Sequence, residues 1–136
     1  MSAQETFVMV KPDGLAKGLA GQIFCEIEKH DLFVVDFVKI HLSRNTVREI
    51  YLGKEKEVYF DDVVSWVSSV PVLLIKIVGD DAIRKIKREI VGKYPNGLRG
   101  RYSDNRIKNI AHAPDSVESA SREMKIVNQI FERKKR

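Results

Sequence analysis

The chain has 136 residues, 43% of them hydrophobic, which is the length and apolar content of one folded domain. This composition excludes a chain that is disordered throughout, and the single cysteine excludes an intrachain disulfide. The net charge of +5 predicts an anionic partner, and leaves open whether it is a nucleic acid, a membrane surface or a small phosphorylated molecule.

The positive charge is concentrated in two places. Nine basic and two acidic residues lie between Arg84 and Lys108, and residues 133–136 are all basic, so the rest of the chain has a net negative charge. Runs of charge are often only a solvated face of a protein. The distribution locates the excess charge without naming the anion.

Targeting and membrane features are absent from the sequence. Residues 1–5 lack the basic and apolar regions of a signal peptide, and the longest uncharged stretch, Val63 to Ile75, has only 13 residues and contains Pro71. Cys25 lies within a predicted amphipathic helix, where we expect a small buried thiol and not a nucleophile. We expect a soluble, cytoplasmic protein.

The first elements of the chain are a strand, a helix and a second strand. An apolar run from Thr6 to Lys11 predicts a buried strand that stops in a turn at Pro12-Asp13-Gly14. Apolar residues then recur at helical spacing as far as His30. Leu32 to Leu42, rich in Phe and Val, predicts the second strand.

Two further helices precede the strongest strand. Ser43 opens one helical segment, and Val58 to Ser68 predicts another. Pro71 to Gly79 is the most apolar strand, and the helix after it is expected to end at Gly92 in a left-handed cap. The remaining predicted elements are a loop over Lys93 to Asn105, a strand over Ile107 to His112 and a closing helix from Val117 to Phe131.

This order predicts an α/β (α+β) domain with one layer of helices on a four-stranded antiparallel sheet. Four strands are too few for a doubly wound sheet. Right-handed crossovers therefore favour the split β-α-β arrangement of the ferredoxin-like kind.

Common signatures of catalytic and metal sites are missing. The sequence has no P-loop, no dinucleotide-binding glycine pattern and no G-x-S-x-G elbow. Cysteine and histidine are too few for a zinc site. Histidine is left as the informative residue type.

Of the three histidines, His112 has the most informative context. His30 ends a predicted helix and His41 ends a strand, where both are expected to be structural. His112 follows the basic loop and precedes residues that start a helix. Neighbouring positive charge keeps an imidazole neutral and nucleophilic. Such an imidazole beside arginines suits phosphoryl transfer, which depends mainly on positioning and charge stabilisation.

Three motifs make the sequence resemble the nucleoside diphosphate kinases, with similarity from about Thr6 to Glu123. They are Val10-Lys11-Pro12-Asp13-Gly14, Gly97-Leu98-Arg99-Gly100 and the run NIAHAPDSVESA that begins at Asn109. The resemblance implies a single domain over residues 1–136 with a basic tail at 133–136. It implies transfer of the γ-phosphate from a nucleoside triphosphate to a nucleoside diphosphate, by a ping-pong mechanism through a phosphohistidine at His112. It also implies a homo-oligomer.

The resemblance assigns roles to residues around His112. Glu123 would hold the other imidazole nitrogen and so set the tautomer. Tyr51 would lie near the histidine. Lys11 would grip phosphate and, together with Asn109, bind the sugar hydroxyls.

Arginines would bind the remaining phosphate oxygens. The motif Gly97-Leu98-Arg99-Gly100 places Arg99 in this role directly. Counting back from Gly92 selects Arg88 as the second arginine, whereas counting forward from Gly79 selects Lys87.

The base and the metal ion have their own implied contacts. Tyr59 would stack on the base and Phe60 would belong to the core, although the two could exchange roles. Stacking alone predicts broad base tolerance. Mg2+ would arrive with the nucleotide phosphates, and Asp115 would reach it through water.

Several positions depart from the family's pattern. Pro114 replaces a serine, Tyr94 replaces a threonine that contacts phosphate, the loop before Arg99 is short, and a basic tail replaces the usual C-terminal extension. Pro114, Tyr94 and the basic tail leave an alternative open, in which a catalytically impaired relative acts as a nucleic-acid-binding or regulatory module. The short loop and the missing extension leave open whether the homo-oligomer is the hexamer common in the family, a dimer or another assembly.

Overall fold

The computed structural model describes residues 3–92, 97–103 and 105–135. Its strands are β1 (Ala3–Val10), β2 (Phe33–Ile40), β3 (Val72–Asp80) and β4 (Ala111–His112). Its helices are α1 (Pro12–Ala16), α2 (Ala20–Lys29), α3 (Arg44–Ile50), α4 (Phe60–Val67), α5 (Ala82–Arg84), α6 (Leu98–Tyr102) and α7 (Val117–Lys134). A π-helix (Lys85–Val91) continues α5. None of the described helices is long and apolar enough to span a membrane.

The four strands form one antiparallel sheet in the order β2-β3-β1-β4. β1 therefore lies between β3 and β4, and β2 lies at an edge. The predicted α+β fold of the ferredoxin-like kind is confirmed.

Helices cover both faces of this sheet, where a single helical layer was expected. Phe7 and Met9 of β1 pack into a core with α3, α4 and α7, whereas Val8 and Val10 pack into a second core with α2, α5 and the π-helix. A strand buried on both faces has no polar side to alternate with. This burial explains the continuous apolar runs in β1 and β3.

Three local predictions are wrong. The turn after β1 is the short helix α1, which Pro12 can begin because its missing N–H is not needed there. The predicted loop contains α6, which is anchored by the buried Leu98, while residues 93–96 and 104 lie outside the described residues. The fourth strand keeps only Ala111 and His112, because the chain turns sharply at Ile110.

Gly92 and Cys25 also differ from expectation. Gly92 has φ −64° and ψ −177°, so it is extended and not left-handed. A Cβ atom there would lie 2.6 Å from the carbonyl oxygen of Arg88, so close approach of the backbone explains this glycine. Cys25 is exposed, because α2 buries Ile23 and Ile27 and a residue two positions from both lies on the opposite face.

Candidate active site

One cavity beside the ends of β1 and β4 collects most of the residues singled out in the sequence. Eight of them line it: Lys11, Tyr51, Tyr59, Arg99, Asn109, His112, Asp115 and Glu123. It is also lined by Ile50, Leu52, Lys54, Val63, Lys87, Arg106, Ala113, Ser119 and Arg122. Arg88 does not line this cavity.

His112 and Glu123 form a short, largely buried pair. Nε2 of His112 lies 2.6 Å from Oε1 of Glu123, with side-chain exposures of 13% and 4%. Glu123 is buried because it falls on the apolar stripe of α7, one residue before Met124. An ionised Glu123 accepts the Nε2–H, which leaves Nδ1 of His112 without a proton.

The surroundings favour a neutral imidazole. Burial lowers the pKa of His112 well below its usual range, and the charges of Lys11, Lys87 and Arg99 lower this pKa further. The imidazole of His112 is therefore neutral at neutral pH, with one N–H, and its other nitrogen retains a nucleophilic lone pair.

Tyr51 packs against the imidazole. The two ring centroids are 4.6 Å apart, with an interplanar angle of 47°. Burial raises the pKa of Tyr51, so its hydroxyl stays protonated. This hydroxyl is buried and has no hydrogen-bond partner within the described residues. A buried donor on a cavity wall is suited to bind a ligand oxygen.

A strained turn precedes the histidine. Ile110 has φ +79°, and the backbone N–H of Ala111 donates to the carbonyl of Asn109 at 2.9 Å. These features define a γ-turn, a conformation that a β-branched residue adopts only when its surroundings enforce it.

The segment Lys11-Pro12-Asp13-Gly14 (KPDG) packs against this turn and forms hydrogen bonds with it. Oδ2 of Asp13 accepts the N–H of Ile110 at 2.8 Å, and the N–H of Lys11 donates to the carbonyl of Ile110 at 2.9 Å. The other oxygen of Asp13 accepts the indole N–H of Trp66 at 3.0 Å. A Cβ atom on Gly14 would lie 2.5 Å from the Ile110 carbonyl oxygen, so the close packing requires glycine.

Lys11 is a buried cation joined to the same segment. It is 2% exposed, and its Nζ donates to Oδ1 of Asn109 at 2.6 Å and to the carbonyl of Ile107 at 3.2 Å. Burial, and then the charge of Arg99, lower the pKa of Lys11 to about 7. A bound anion would restore its full charge.

Arg99 supports the turn from α6. Its Nε donates to the carbonyl of Asn109 at 3.2 Å, and its Nη2 donates to the carbonyl of Ala111 at 2.6 Å. These two bonds use two of the five guanidinium N–H groups. Arg99 thus orients the segment before His112 and keeps donors for a ligand.

The structure places Lys87, and not Arg88, in the cavity. Nζ of Lys87 lies 3.3 Å from the carbonyl oxygen of Ala113, the residue after His112. Arg88 is exposed and lines a neighbouring groove. Lys87 and Arg88 are neighbours on the π-helix and point in different directions, so only Lys87 of the two enters the cavity.

Tyr59 and Asp115 lie at the outer part of the cavity. Tyr59 is half-buried and directly precedes α4, and the next residue, Phe60, is buried in the core. Asp115 is exposed and lines both the cavity and the neighbouring groove. Pro114 is buried two residues before the N-cap Ser116, so its missing N–H costs α7 no hydrogen bond.

The sequence did not point to Asp13 as a support of the turn, or to Lys54, Arg106 and Arg122 as cavity residues. The recognised KPDG motif contains Asp13, but its partners lie 53 and 97 residues away along the chain. No local pattern marks the other three.

The described residues hold no resident metal cage. No group of three or more His, Cys, Asp or Glu side chains there could hold a metal ion.

Comparisons with known proteins identify the family. A family model described as nucleoside diphosphate kinase matches residues 4–133. The nucleoside diphosphate kinase of Saccharolobus solfataricus is 38% identical over 131 residues, covering 93% of this chain and 95% of that protein. That of Sulfurisphaera tokodaii is 35% identical, covering 93% of this chain and 89% of the relative.

Solved structures agree with the sequence matches. The Aquifex aeolicus nucleoside diphosphate kinase superposes with a TM-score of 0.85 at 26% identity, covering 93% of this chain and 95% of that one. A halophilic nucleoside diphosphate kinase from Halobacterium salinarum, solved in complex with CDP, has a TM-score of 0.84 at 30% identity, covering 92% and 87%. The family match over nearly the whole chain and the shared fold show that this chain belongs to the nucleoside diphosphate kinases, enzymes of nucleotide phosphate transfer.

Proposed function

We propose that the chain, acting as a single domain, moves the γ-phosphate of a nucleoside triphosphate to a nucleoside diphosphate through a phosphohistidine at His112. The observation that carries this proposal is the pairing of His112 Nε2 with Glu123, which leaves Nδ1 free beside cationic groups. Both the nucleophile and the groups that neutralise a phosphate are thus in one cavity.

The reaction has two symmetrical halves. The Nδ1 lone pair attacks the γ-phosphorus, an N–P bond forms, and the bond to the β-phosphate oxygen breaks to release the diphosphate. The imidazolium that forms keeps its Nε2–H against Glu123, whose charge stabilises it. A β-phosphate oxygen of the second nucleotide then attacks this phosphorus and forms an O–P bond. The N–P bond breaks, its electron pair returns to Nδ1, and neutral His112 is regenerated.

Four groups bind the phosphates in this proposal. They are the Nζ atoms of Lys11 and Lys87, the free guanidinium N–H groups of Arg99 and the hydroxyl of Tyr51. The support for Tyr51 is its buried and unpartnered hydroxyl. We assign Lys87 the role that counting back from Gly92 gave to Arg88, because Lys87 reaches the cavity.

The sugar and base extend toward the cavity mouth. Asn109, bonded to Lys11, binds a sugar hydroxyl together with it, and Tyr59 stacks on the base. Stacking does not distinguish base edges, which agrees with a broad substrate range. The halophilic relative solved with CDP supports a nucleotide ligand.

The divalent cation of this reaction is Mg2+ carried by the nucleotide. Asp115 is the carboxylate on the cavity wall that does not pair with His112, whereas Glu123 does. Asp115 would reach this metal through water, and the metal would supply charge neutralisation to the phosphates.

We also propose that copies of the chain associate through the β2 edge. Phe33, Val35 and Phe37 of this edge strand are 68%, 56% and 53% exposed. An apolar strand edge is a ready surface for pairing with a second copy related by two-fold symmetry.

Labelling with γ-³²P ATP tests the phosphohistidine. Without an acceptor, the wild type should retain label, His112→Ala should not, and an added nucleoside diphosphate should remove the label. His41→Ala is the matched control, because His41 is exposed and bonds only the carbonyl of Ser68 within the described residues. An unlabelled wild type, or a labelled His112→Ala protein, contradicts the mechanism.

A further inference from the structure

Arg122 contacts Glu123 of the catalytic pair and the backbone around Tyr51, although none of the roles above involves it. Its Nη1 donates to the carbonyl of Glu49 at 2.6 Å, and its Nη2 donates to the carbonyls of Ile50 and Leu52 at 3.2 and 3.1 Å. These carbonyls surround Tyr51, whose ring packs on His112. Nη2 also lies 3.5 Å from Oε2 of Glu123, the carboxylate oxygen that His112 does not use.

We propose that Arg122 is a positioning residue, which keeps Glu123 ionised and aimed at Nε2 of His112 so that Nδ1 stays free to attack phosphorus. This inference rests on the proposed function, since it concerns the same histidine. It concerns a residue that acts only through its neighbours.

The protonation state of Glu123 decides which nitrogen of His112 is bare. An ionised carboxylate accepts a proton from Nε2–H, and Nδ1 then has its lone pair available. A protonated carboxyl donates to Nε2 instead, and a neutral imidazole must then carry its proton on Nδ1, where it blocks attack. The enzyme therefore needs the ionised form.

Burial works against that form, and Arg122 opposes the effect of burial. Burial raises the pKa of Glu123 to about 7, and the neighbouring guanidinium is the strongest influence in the other direction. The other charged groups that act on Glu123 are Asp115, which raises its pKa, and Lys87 and Lys54, which lower it. The lysines come from the π-helix and from the loop after α3, so Arg122 is the cation on the same helix and in contact with the carboxylate.

Three variants separate the charge of Arg122 from its bonds to backbone carbonyls. Arg122→Gln removes the charge, whereas Arg122→Lys keeps the charge but loses the multiple carbonyl bonds. Lys125→Gln is the matched control, because it removes an exposed cation of α7 one turn away. Thermal unfolding of each variant measures the structural cost separately.

Two readouts report on the tautomer. The first is the pH profile of phosphoenzyme formation from γ-³²P ATP in a single turnover. The second is ¹⁵N NMR of histidine-labelled protein without nucleotide, with the His112 signals assigned by their loss in His112→Ala.

In Arg122→Gln we expect the acidic limb of the profile to move up by about one pH unit. This shift corresponds to phosphoenzyme formation that is about tenfold slower near pH 6. In the NMR spectra, the Nδ1–H tautomer should appear at pH values where the wild type shows Nε2–H. Arg122→Lys should keep the wild-type limb and tautomer even if it unfolds at a temperature as low as Arg122→Gln, and Lys125→Gln should match the wild type.

Three results would overturn the inference. They are an unchanged limb and tautomer in Arg122→Gln, an equal shift in Arg122→Lys, or an equal shift in Lys125→Gln. Failure of the proposed function is a different result, because an unlabelled wild type would end the phosphohistidine mechanism while the NMR experiment still decides the role of Arg122.

Discussion

The cavity carries two lysines whose charge is sensitive to pH. Burial, and then the charge of Arg99, lower the pKa of Lys11 to about 7 and that of Lys87 to about 8. A lysine with a lowered pKa loses its charge as pH rises through that value, and a neutral amine binds phosphate poorly. Nucleotide binding should therefore weaken on the alkaline side.

Lys87→Arg should extend nucleotide binding to higher pH. An arginine stays charged throughout the alkaline range, whereas Lys87 does not. Between about pH 8 and 9.5, we expect KM for the nucleoside diphosphate to rise in both proteins. The factor of this rise should be about ten times larger in the wild type than in Lys87→Arg. Steady-state kinetics across this range measure the difference.

Arg88 supplies the control for this experiment. Arg88→Lys should follow the wild-type profile, because Arg88 lies outside the cavity. The phosphate-binding role would return to Arg88 under either of two results. One is that KM of Lys87→Arg rises at alkaline pH as it does in the wild type, and the other is that KM of Arg88→Lys differs clearly from the wild-type profile.

Two irregular elements orient the side chains of the site. The π-helix turns Lys87 into the cavity, and the γ-turn at Ile110 sets the direction in which β4 presents His112. Both conformations are costly on their own, so the surrounding contacts must maintain them. For the γ-turn, Asp13 is the side chain that bonds its central N–H.

Asp13→Asn should loosen the γ-turn. An amide has one acceptor oxygen, so it cannot accept from both Ile110 and Trp66 as the carboxylate does. We expect the free energy of unfolding to fall by about 1–3 kcal/mol and kcat to fall with it. Trp66 is the only tryptophan of the chain, so its fluorescence directly reports the loss of the indole bond.

Asp31→Asn is the matched substitution for this test. Asp31 is exposed with φ +60°, a conformation that asparagine also adopts readily, so stability and turnover should stay at wild-type values. Wild-type kcat in Asp13→Asn would show that the turn keeps its shape without the carboxylate.

At the scale of the whole molecule, the sheet leaves one long strand exposed at its edge. β1 and β3 are covered on both faces, while β2 carries exposed Phe33, Val35 and Phe37. The end of α7 lies nearby, since Nζ of Lys134 donates to the carbonyl of Phe37 at 3.2 Å. Lys134 of the basic tail therefore lies on the same side of the molecule as the proposed association surface.

Phe37→Lys should weaken self-association. A charge on the edge strand opposes pairing with a second copy, so we expect a shift toward monomer in sedimentation velocity at equal concentration. Val58→Lys is the control, because Val58 is 95% exposed but lies in a loop. A monomeric wild type, or equal dissociation in both variants, would contradict association through β2.

Neutralising the basic tail should leave turnover almost unchanged. Arg133 lies ten residues after Glu123 on α7, about 15 Å along the helix, and is far from the reacting atoms. We expect kcat/KM within about twofold of the wild type when Arg133, Lys135 and Arg136 become Gln and Lys134 keeps its bond to β2.

The same tail variant tests the alternative role in nucleic-acid binding. Binding that depends on the tail should fall with rising salt in the wild type and disappear in the variant. A severe loss of turnover in the variant would contradict a tail that is independent of catalysis.

Most elements and their types could be predicted from the sequence, because apolar periodicity and capping residues act locally. Ser43 is an example, since its side chain accepts the N–H of Thr46 and begins α3 as predicted. Cys25 and the fourth strand could not be predicted so directly. The face of a helix that becomes buried, and the length of a strand, depend on what packs beside them.

The sequence by itself determined the motifs around Lys11, Arg99 and His112, and with them the family and its chemistry. Only the tertiary structure decided that Lys87 reaches the cavity and that Arg122 joins Glu123 to the carbonyls around Tyr51. The physical reason is that motifs record the residue types a reaction needs, whereas the direction of a side chain on a π-helix and a contact across 70 residues are decided only when the chain folds.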